Sequence, residues 1–237
     1  IKSMGLDDLK PFDPQEKVIE FLIEGPSKKA LVDLTCKEFA LETASESPAP
    51  GGGSVSAYMG AMGAALATMV ANLSSHKAGW DSKWEYFSNY AEKGQAVIAE
   101  LLHLVDEDTQ SFNKIMEAFS LPKSTELEKE IRSKAIQDAT KYATEIPLRT
   151  MEVAYSALDV VEAMVKDGNP NSISDAGVGA LAIRACVTGA FMNVKINAKD
   201  LKDRDIANNL IERGAQIYKD TVEREQKITN DVFSSIQ

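Results

Sequence analysis

A single carboxylate interrupts an apolar stripe in the longest helical segment of the sequence. The stripe, spaced alternately by three and four residues, consists of Gly94, Ile98, Leu101, Val105, Asp108, Phe112, Ile115 and Phe119. The neighbouring Asp106 and Glu107 do not lie on this stripe, because each residue turns an α-helix by about 100°. Replacing Asp106 is therefore expected to have little effect on activity or stability. A carboxylate on an apolar face must be paired, hydrogen-bonded or protonated, and such groups concentrate at functional sites. Asp108 is therefore a candidate proton-transfer group; a buried salt bridge or a cap for a neighbouring helix explains the pattern equally well.

Three glycines and a serine, Gly51, Gly52, Gly53 and Ser54, stand at a predicted helix start. Glycine permits unusual backbone angles, and the free N–H groups of a helix N-terminus attract negative charge. The segment is not a phosphate-binding P-loop, because GxxxxGK followed by Ser or Thr is absent. It is not a dinucleotide fingerprint either, because Ser56 replaces the third glycine and no strand precedes it. The glycines predict a binding turn or, as a simpler alternative, a tight entry turn for a closely packed helix.

A second stripe places small residues between two polar ones. Its members are Asp175, Gly179, Ala182, Cys186, Gly189 and Asn193. Small residues let two helices approach closely, so packing is the favoured interpretation. Asn193 and Asn197, one helical turn apart, are nevertheless candidates for presenting their amides to a ligand.

The elements that must position these residues are helices. Capping patterns, small-residue runs and 3.6-residue periodicity predict helices over 13–24, 35–44, 54–75 (with Ser54 as its cap), 83–119, 125–166 (kinked at Pro147), 174–199 and 203–235. No run alternates with the period of a strand, and the loops are short, which predicts an all-α antiparallel bundle over 31–237. Residues 1–30 are interpreted as a linker with a lone helix, and the mixed, charged first twenty residues predict no secretory signal.

Composition excludes several functional classes. The net charge of −10 argues against nucleic acid as a partner, since a phosphate-binding surface is basic. Two cysteines, Cys36 and Cys186, and two histidines are too few for a disulfide framework or a usual zinc site, so we expect no metal and a reducing, cytoplasmic compartment.

The uncharged stretch from Ala49 to Ser75 is long enough to span a membrane, yet it is dominated by small residues. We therefore predict a buried helix and no membrane. Its lack of bulk predicts that helix 54–75 lies in the innermost layer or at an interface of a homodimer or higher oligomer. Leucine at Gly60 or Gly63 should then overpack the helix.

Ordered motifs along the chain resemble the formiminotetrahydrofolate cyclodeaminase family. They are Ser47–Ala57 (SPAPGGGSVSA), Gly63–Leu66, Met69-Val70, Leu104–Asp108 with Phe112, Leu121-Pro122-Lys123, Pro147-Leu148, Gly168-Asn169, Ser174-Asp175 and Asn193–Asn197. The likeness covers about residues 31–237. Residues 6–24 are similar to the connector that follows a formiminotransferase module in bifunctional enzymes, which implies fusion to or association with such a module.

The resemblance implies a self-associating helical enzyme that converts 5-formimidoyltetrahydrofolate to 5,10-methenyltetrahydrofolate and ammonia, without a metal or redox cofactor. The family's catalytic aspartate matches Asp108. We expect the folate where the Gly51–Ser54 turn and Asp108 meet the stripe that carries Asp175, Asn193 and Asn197. The tail, which in folates is often polyglutamylated, should reach cations at the rim such as Lys77, Lys83 or Arg132.

Two alternatives stay open. The same family includes methenyltetrahydrofolate cyclohydrolases, which consume the methenyl compound. A helical interaction module, in which Asp108 is purely structural, is an alternative of a different class.

Overall fold

The computed structural model describes residues 29–236, so the predicted helix 13–24 and nearly all of the predicted linker lie outside the described part. Within this part, seven α-helices follow one another: α1 (Cys36–Thr43), α2 (Gly52–Ser75), α3 (Trp84–Ser120), α4 (Glu126–Ser156), α5 (Leu158–Asp167), α6 (Ile173–Ala198) and α7 (Arg204–Ser235). Single 3₁₀ turns occupy Leu31–Asp33, Asp81–Lys83 and Pro170–Ser172. Between residues 29 and 236 there is no β-strand. The all-α prediction is confirmed.

Helix α2 packs between α3 and α6. Small residues allow α2 and α6 to approach closely, and the opposed pairs are Gly63–Gly179, Gly60–Cys186, Ser56–Gly189 and Gly52–Asn193. Because the residue number rises on one helix as it falls on the other, the two helices run antiparallel. Most of the small-residue stripe therefore serves helix packing, as its composition favoured.

Further contacts fix the other neighbours as antiparallel. The pairs that join α3 to α4 are Glu107–Tyr142 and Glu100–Arg149, and those that join α6 to α7 are Arg184–Glu225 and Phe191–Tyr218. The N-caps of α1 and α7 come from side chains close by in the sequence: Thr35 and Glu38 form a complete capping box at α1, and Asp203 caps α7. The structure is thus an antiparallel bundle.

Two stretches, Gly52–Ser75 and Pro170–Ala198, are long and apolar enough to cross a membrane by length and composition. Each stretch contains an apolar segment of 18 residues. In the bundle, 61% of that segment is buried in the first stretch and 44% in the second. Packing of α2 between α3 and α6 accounts for its apolar composition, as expected for a core helix.

The long helix predicted over 125–166 is divided at Ala157 and runs unbroken through Pro147. At Ala157 the backbone N–H bonds to Ala154 O at 3.1 Å, a tightened 3₁₀ contact, while the Ser156 hydroxyl donates to Val153 O at 2.7 Å. Such a serine bond competes with the regular helix ladder. The prediction of one continuous helix over 125–166 was therefore wrong at Ala157.

The close approach of α2 and α6 predicts a destabilising substitution. A Cβ atom at Gly63 would lie 2.7 Å from Gly179 O and 2.9 Å from Ile183 Cγ1. We expect Gly63→Leu to lower the free energy of unfolding by about 1–3 kcal/mol, because backbone cannot yield as a flexible side chain would. Denaturant titration measures it. The control is Asn208→Leu, because Asn208 is exposed on α7; equal midpoints for both variants would contradict the packing argument.

Candidate active site

Asp108 closes the N-terminus of α2 from the neighbouring helix α3. Its Oδ2 accepts hydrogen bonds from the Ser54 backbone N–H at 2.9 Å and from the Ser54 hydroxyl at 3.2 Å. The N-cap residue of α2 is Gly51, which has no side chain to satisfy these donors. Ser54 was expected to cap the helix itself; instead it lies within the first turn and receives its cap from Asp108.

This contact separates the two structural interpretations of Asp108. It makes no ion pair with any residue in the described part of the chain, so the buried salt bridge is not found there. The structure instead shows Asp108 as the cap of the neighbouring helix α2. A capping carboxylate keeps a second oxygen, and Asp108 Oδ1 receives no hydrogen bond from residues 29–236.

Burial raises the pKa of the Asp108 carboxyl, and the two hydrogen bonds from Ser54 offset only part of this effect. A carboxyl with a raised pKa accepts a proton more readily near neutral pH than an exposed aspartate does. Position and ionisation therefore suit Asp108 for proton transfer through Oδ1.

The apolar stripe of α3 leaves the core just beyond Asp108. Leu101 and Val105 are fully buried, whereas Phe112 is 43% and Phe119 is 50% exposed. The reason is geometric: α2 begins opposite Asp108, so no part of α2 covers the following turns of α3. The exposed stripe residues become one wall of an open cleft.

The cleft joins three of the segments that the sequence singled out. Its lining consists of Pro48, Ala49, Gly51, Gly52, Gly53, Asp108, Thr109, Ser111, Phe112, Ile115, Ala143, Asn193 and Asn197. The cavity measures about 160 Å³, below the roughly 300 Å³ at which pockets for drug-sized ligands begin. It can enclose a ring-sized part of a ligand, and the rest of a larger molecule would extend over the adjoining surface.

Both asparagines use their amide nitrogen on the protein itself. Asn193 Nδ2 donates to Gly189 O at 2.9 Å, and Asn197 Nδ2 donates to Ala143 O at 2.7 Å. Neither Oδ1 receives a hydrogen bond from the described residues. Together with Asp108 Oδ1 they give the cleft three free acceptors, an arrangement that suits a ligand rich in N–H donors.

Other predicted site residues lie elsewhere. Asp175 is about five turns, roughly 27 Å, from Asn193 along α6, so the expected convergence of these two residues is wrong. Lys77 and Lys83 both stack on Trp80 beyond the C-terminus of α2, at the end opposite the cleft. The sequence pattern cannot show this, because a stripe defines one face of a helix and not which end carries the site.

Arg132 lines a separate basic pocket next to the cleft. It donates to Phe119 O from Nε at 3.2 Å and from Nη2 at 3.0 Å, which places it at the end of α3. The other cations of this pocket are Lys123, Lys129 and Lys202, and no carboxylate from the described residues lines it. Ile136, which also lines it, is about 10 Å along α4 from Ala143 of the cleft.

The acids beside Asp108 have structural partners of their own. Asp106 Oδ1 accepts from the Leu31 backbone N–H at 2.6 Å, and Glu107 accepts from the Tyr142 hydroxyl and lies 3.5 Å from Lys114 Nζ. Asp106 is therefore not the inert residue that its position off the stripe suggested, because it anchors the segment before α1.

Sequence reasoning missed Thr109, Ser111 and Ala143 as cleft residues. Thr109 and Ser111 flank the stripe on α3, and Ala143 has only a methyl side chain to mark it. The only available signal was their spacing from Asp108 and from Pro147.

Comparisons with known proteins agree on one family. The sequence model described as formiminotransferase-cyclodeaminase matches residues 35–216. The formimidoyltransferase-cyclodeaminase of Mus musculus is 37% identical over 205 residues, which are 86% of this chain and 38% of that protein. A methenyltetrahydrofolate cyclohydrolase of Methylorubrum extorquens is 35% identical over 202 residues, 85% of this chain and 97% of that one. The chain thus spans about two fifths of the transferase-cyclodeaminases and nearly all of the cyclohydrolase.

A solved structure has the same fold. The crystal structure of formiminotetrahydrofolate cyclodeaminase from Thermotoga maritima superposes with a TM-score of 0.76 at 28% identity, covering 86% of this chain and 98% of that one.

Proposed function

The chain belongs to the formiminotransferase-cyclodeaminase family, and from this membership we propose that it is a formimidoyltetrahydrofolate cyclodeaminase, an ammonia-lyase. The relatives carry the names of cyclodeaminases and of a cyclohydrolase. These names support a role in folate one-carbon chemistry, either as a cyclodeaminase or as a cyclohydrolase. Which of the two reactions this chain catalyses is what we propose.

The observation that carries the proposal is the state of Asp108. Ser54 donates to Oδ2, no residue between 29 and 236 donates to Oδ1, and burial raises the carboxyl pKa. Ring closure requires a group that takes one proton and returns it a few ångströms away. A carboxylate fixed through one oxygen and free at the other meets that requirement.

In the proposed reaction, N10 of the folate attacks the formimidoyl carbon on N5, and a C–N10 bond forms. Asp108 Oδ1 removes the proton from N10 and delivers it to the departing amino nitrogen. The bond from carbon to that nitrogen breaks, ammonia leaves, and the methenyl cation bridges N5 and N10. The positive charge present in the amidinium substrate is kept in the product, so no oxidant, reductant or metal is required, and we propose that none is used.

Electron-rich oxygen atoms in the cleft support this scheme. The Asp108 carboxylate and the oxygens of Asn193 and Asn197 present electron-rich atoms to a substrate that stays cationic throughout. Preorganised dipoles of this kind stabilise the reaction most when water is largely excluded.

The cyclohydrolase is the second candidate. The specific observation in its favour is that the Methylorubrum cyclohydrolase is 35% identical and is matched over 97% of its own length. The free acceptors in the cleft favour the cyclodeaminase, since the formimidoyl group carries N–H donors that the methenyl bridge lacks.

The test is to incubate the protein with 5-formimidoyltetrahydrofolate and, separately, with 5,10-methenyltetrahydrofolate while the methenyl chromophore and free ammonia are followed. A cyclodeaminase produces the chromophore and an equal amount of ammonia. A cyclohydrolase instead bleaches the methenyl compound without ammonia, and a non-enzymatic interaction module changes neither signal.

We propose that the basic pocket takes the glutamate tail of the folate. Its four cations stand out on a chain of net charge −10. A larger groove also adjoins the cleft, but Glu38, Glu42 and Asp106 line it and would repel carboxylates.

Replacing Arg132 and Lys202 by Ala together should raise KM for a polyglutamylated substrate by about tenfold and change KM for the monoglutamate much less, since surface ion pairs contribute up to about 1 kcal/mol each. Steady-state kinetics with both substrates measures the difference. The control is Lys227→Ala, far from the cleft on α7. Equal changes for the two substrates would exclude the tail assignment.

We also propose self-association through the outer face of α2 and α6. Apolar side chains exposed on this face are Met62, Met69, Leu73, Val178 and Leu181. Several exposed apolar side chains on two adjacent helices favour an interface. A second copy of the chain presents the same surface and satisfies it by twofold symmetry.

Leu73→Glu should therefore raise the dissociation constant of the homodimer by at least about tenfold, because a charge would be buried at the interface. Sedimentation over a concentration series measures it, with Leu41→Glu on α1 as the control for an exposed leucine elsewhere. A wild-type chain that sediments as a monomer at all concentrations would refute the proposal.

Fusion to, or association with, a formimidoyltransferase module is likewise proposed from the length of the animal relatives.

Both cysteines are free thiols, Cys36 exposed and Cys186 buried. This supports the proposal of a reducing, cytoplasmic compartment.

A further inference from the structure

Pro147 lies inside the 31-residue helix α4. In an α-helix each backbone N–H donates to the carbonyl four residues earlier, and proline has no N–H. The carbonyl of Ala143 therefore lacks the donor that any other residue at 147 would supply. Ala143 is buried, and buried backbone carbonyls in folded proteins are almost always hydrogen-bonded.

The missing donor comes from another helix. Asn197 of α6 donates from Nδ2 to Ala143 O at 2.7 Å. A backbone carbonyl only accepts, so the amide nitrogen must face Ala143 and the amide oxygen must face away from it. Because Asn197 lines the cleft, its Oδ1 is the atom left for a ligand.

We infer that Pro147 is a positioning residue: by freeing the Ala143 carbonyl it fixes Asn197 with Oδ1 as a hydrogen-bond acceptor for the substrate. The identity of that substrate rests on the proposed function. The matching donor is the N–H group of the formimidoyl nitrogen, which the methenyl product lacks. Asn197 thereby distinguishes substrate from product.

This arrangement destabilises α4. Proline in a helix interior is destabilising, and an alanine in its place would restore the regular hydrogen bond to the Ala143 carbonyl. Pro147→Ala should therefore fold at least as stably as the wild type. At the same time it removes the carbonyl's dependence on Asn197, so the side chain is free to adopt other rotamers.

The test is a double-mutant cycle of Pro147→Ala and Asn197→Ala, read out in denaturant midpoint and in KM and kcat for 5-formimidoyltetrahydrofolate. Each single variant should raise KM by about threefold to tenfold, the size of one hydrogen bond, with a much smaller change in kcat. The double variant should have a KM no higher than the worse single variant. Asn197→Ala should lower the denaturant midpoint in the wild-type background and much less in the Pro147→Ala background, where the carbonyl keeps its helix donor.

Asn197→Asp provides a second variant, because it keeps an acceptor oxygen but cannot donate to Ala143; it should shift the midpoint at least as far as Asn197→Ala. Met192→Ala, an exposed position on the same helix, is the control and should combine additively with Pro147→Ala. Additive midpoints for Pro147→Ala and Asn197→Ala would overturn the positioning role. Coupled midpoints with an unchanged KM would overturn the acceptor role. Coupled midpoints in a chain without cyclodeaminase activity would keep the positioning role and reject the proposed function.

Discussion

Asp108→Asn should lower turnover of the proposed cyclodeamination by about 10²–10⁴-fold while the helical fold persists. Asparagine has nearly the shape of aspartate, and its Oδ1 can still accept from the Ser54 N–H, so the cap on α2 is kept. The amide cannot accept a proton at neutral pH. The substitution therefore separates the charge of Asp108 from its structural contact, and single-turnover kinetics with the methenyl chromophore measures the result.

The stability of this variant should equal or exceed that of the wild type. Burial raises the pKa of Asp108 in the folded protein, so folding disfavours the ionised carboxylate relative to the unfolded chain. The wild type therefore loses stability as pH rises from the unfolded pKa through the raised folded pKa, whereas the asparagine variant does not. The difference between the two denaturant midpoints should grow with rising pH and vanish at acidic pH.

Asp108→Ala removes the cap as well and should cost about 0.5–2 kcal/mol of unfolding free energy. Glu117→Gln, an exposed acid on the same helix, is the control that should leave turnover and midpoint unchanged. Asp106→Asn is unsuitable for that purpose because Asp106 holds the Leu31 N–H. A folded Asp108→Asn protein with near-normal turnover would end the catalytic assignment.

The second large effect is expected at Gly53. A Cβ atom there would overlap Oδ1 and Cγ of Asp108 and would lie 2.6 Å from its Oδ2. All three clashing atoms belong to the Asp108 side chain, so Gly53→Ala should push the carboxylate out of its contact with Ser54. We expect turnover to fall by at least about 10²-fold, since displacement of a reacting group by about 1 Å has effects of that size. The free energy of unfolding should fall by about 1–3 kcal/mol.

Gly52→Ala is the matched control for stability, because its Cβ would meet Asn193 Nδ2 at an ordinary 3.6 Å. A second check is the pair Gly53→Ala and Asp108→Ala, whose stability losses should be far from additive, since removing the carboxylate removes the clash. The geometry would be refuted by a Gly53→Ala protein with the denaturant midpoint and turnover of the wild type.

The sequence by itself determined the helical class and most helix positions. Capping residues such as Thr35 and Asp203 act within a few residues of the backbone they satisfy, so their effect is local and can be read directly. The apolar stripe on α3 isolated Asp108 for the same reason, because helical periodicity is a local property. The break at Ala157 was missed, since a weak serine contact there carries no strong sequence signal.

The tertiary structure alone decided what these residues meet. That Gly53 and Ser54 contact Asp108 depends on the antiparallel packing of α2 and α3, in which Gly60 also opposes Leu101 and Thr68 opposes Gly94. The packing of α6 against α2 places Asn193 beside the N-terminus of α2 and leaves Asp175 at the opposite end of α6. The packing of α6 against α4 decides what Pro147 does: the missing N–H follows from the sequence, but the donor that replaces it is Asn197 on another helix. Periodicity specifies the face of a helix, whereas register and helix ends follow from how whole side-chain surfaces pack, and no local pattern contains that information.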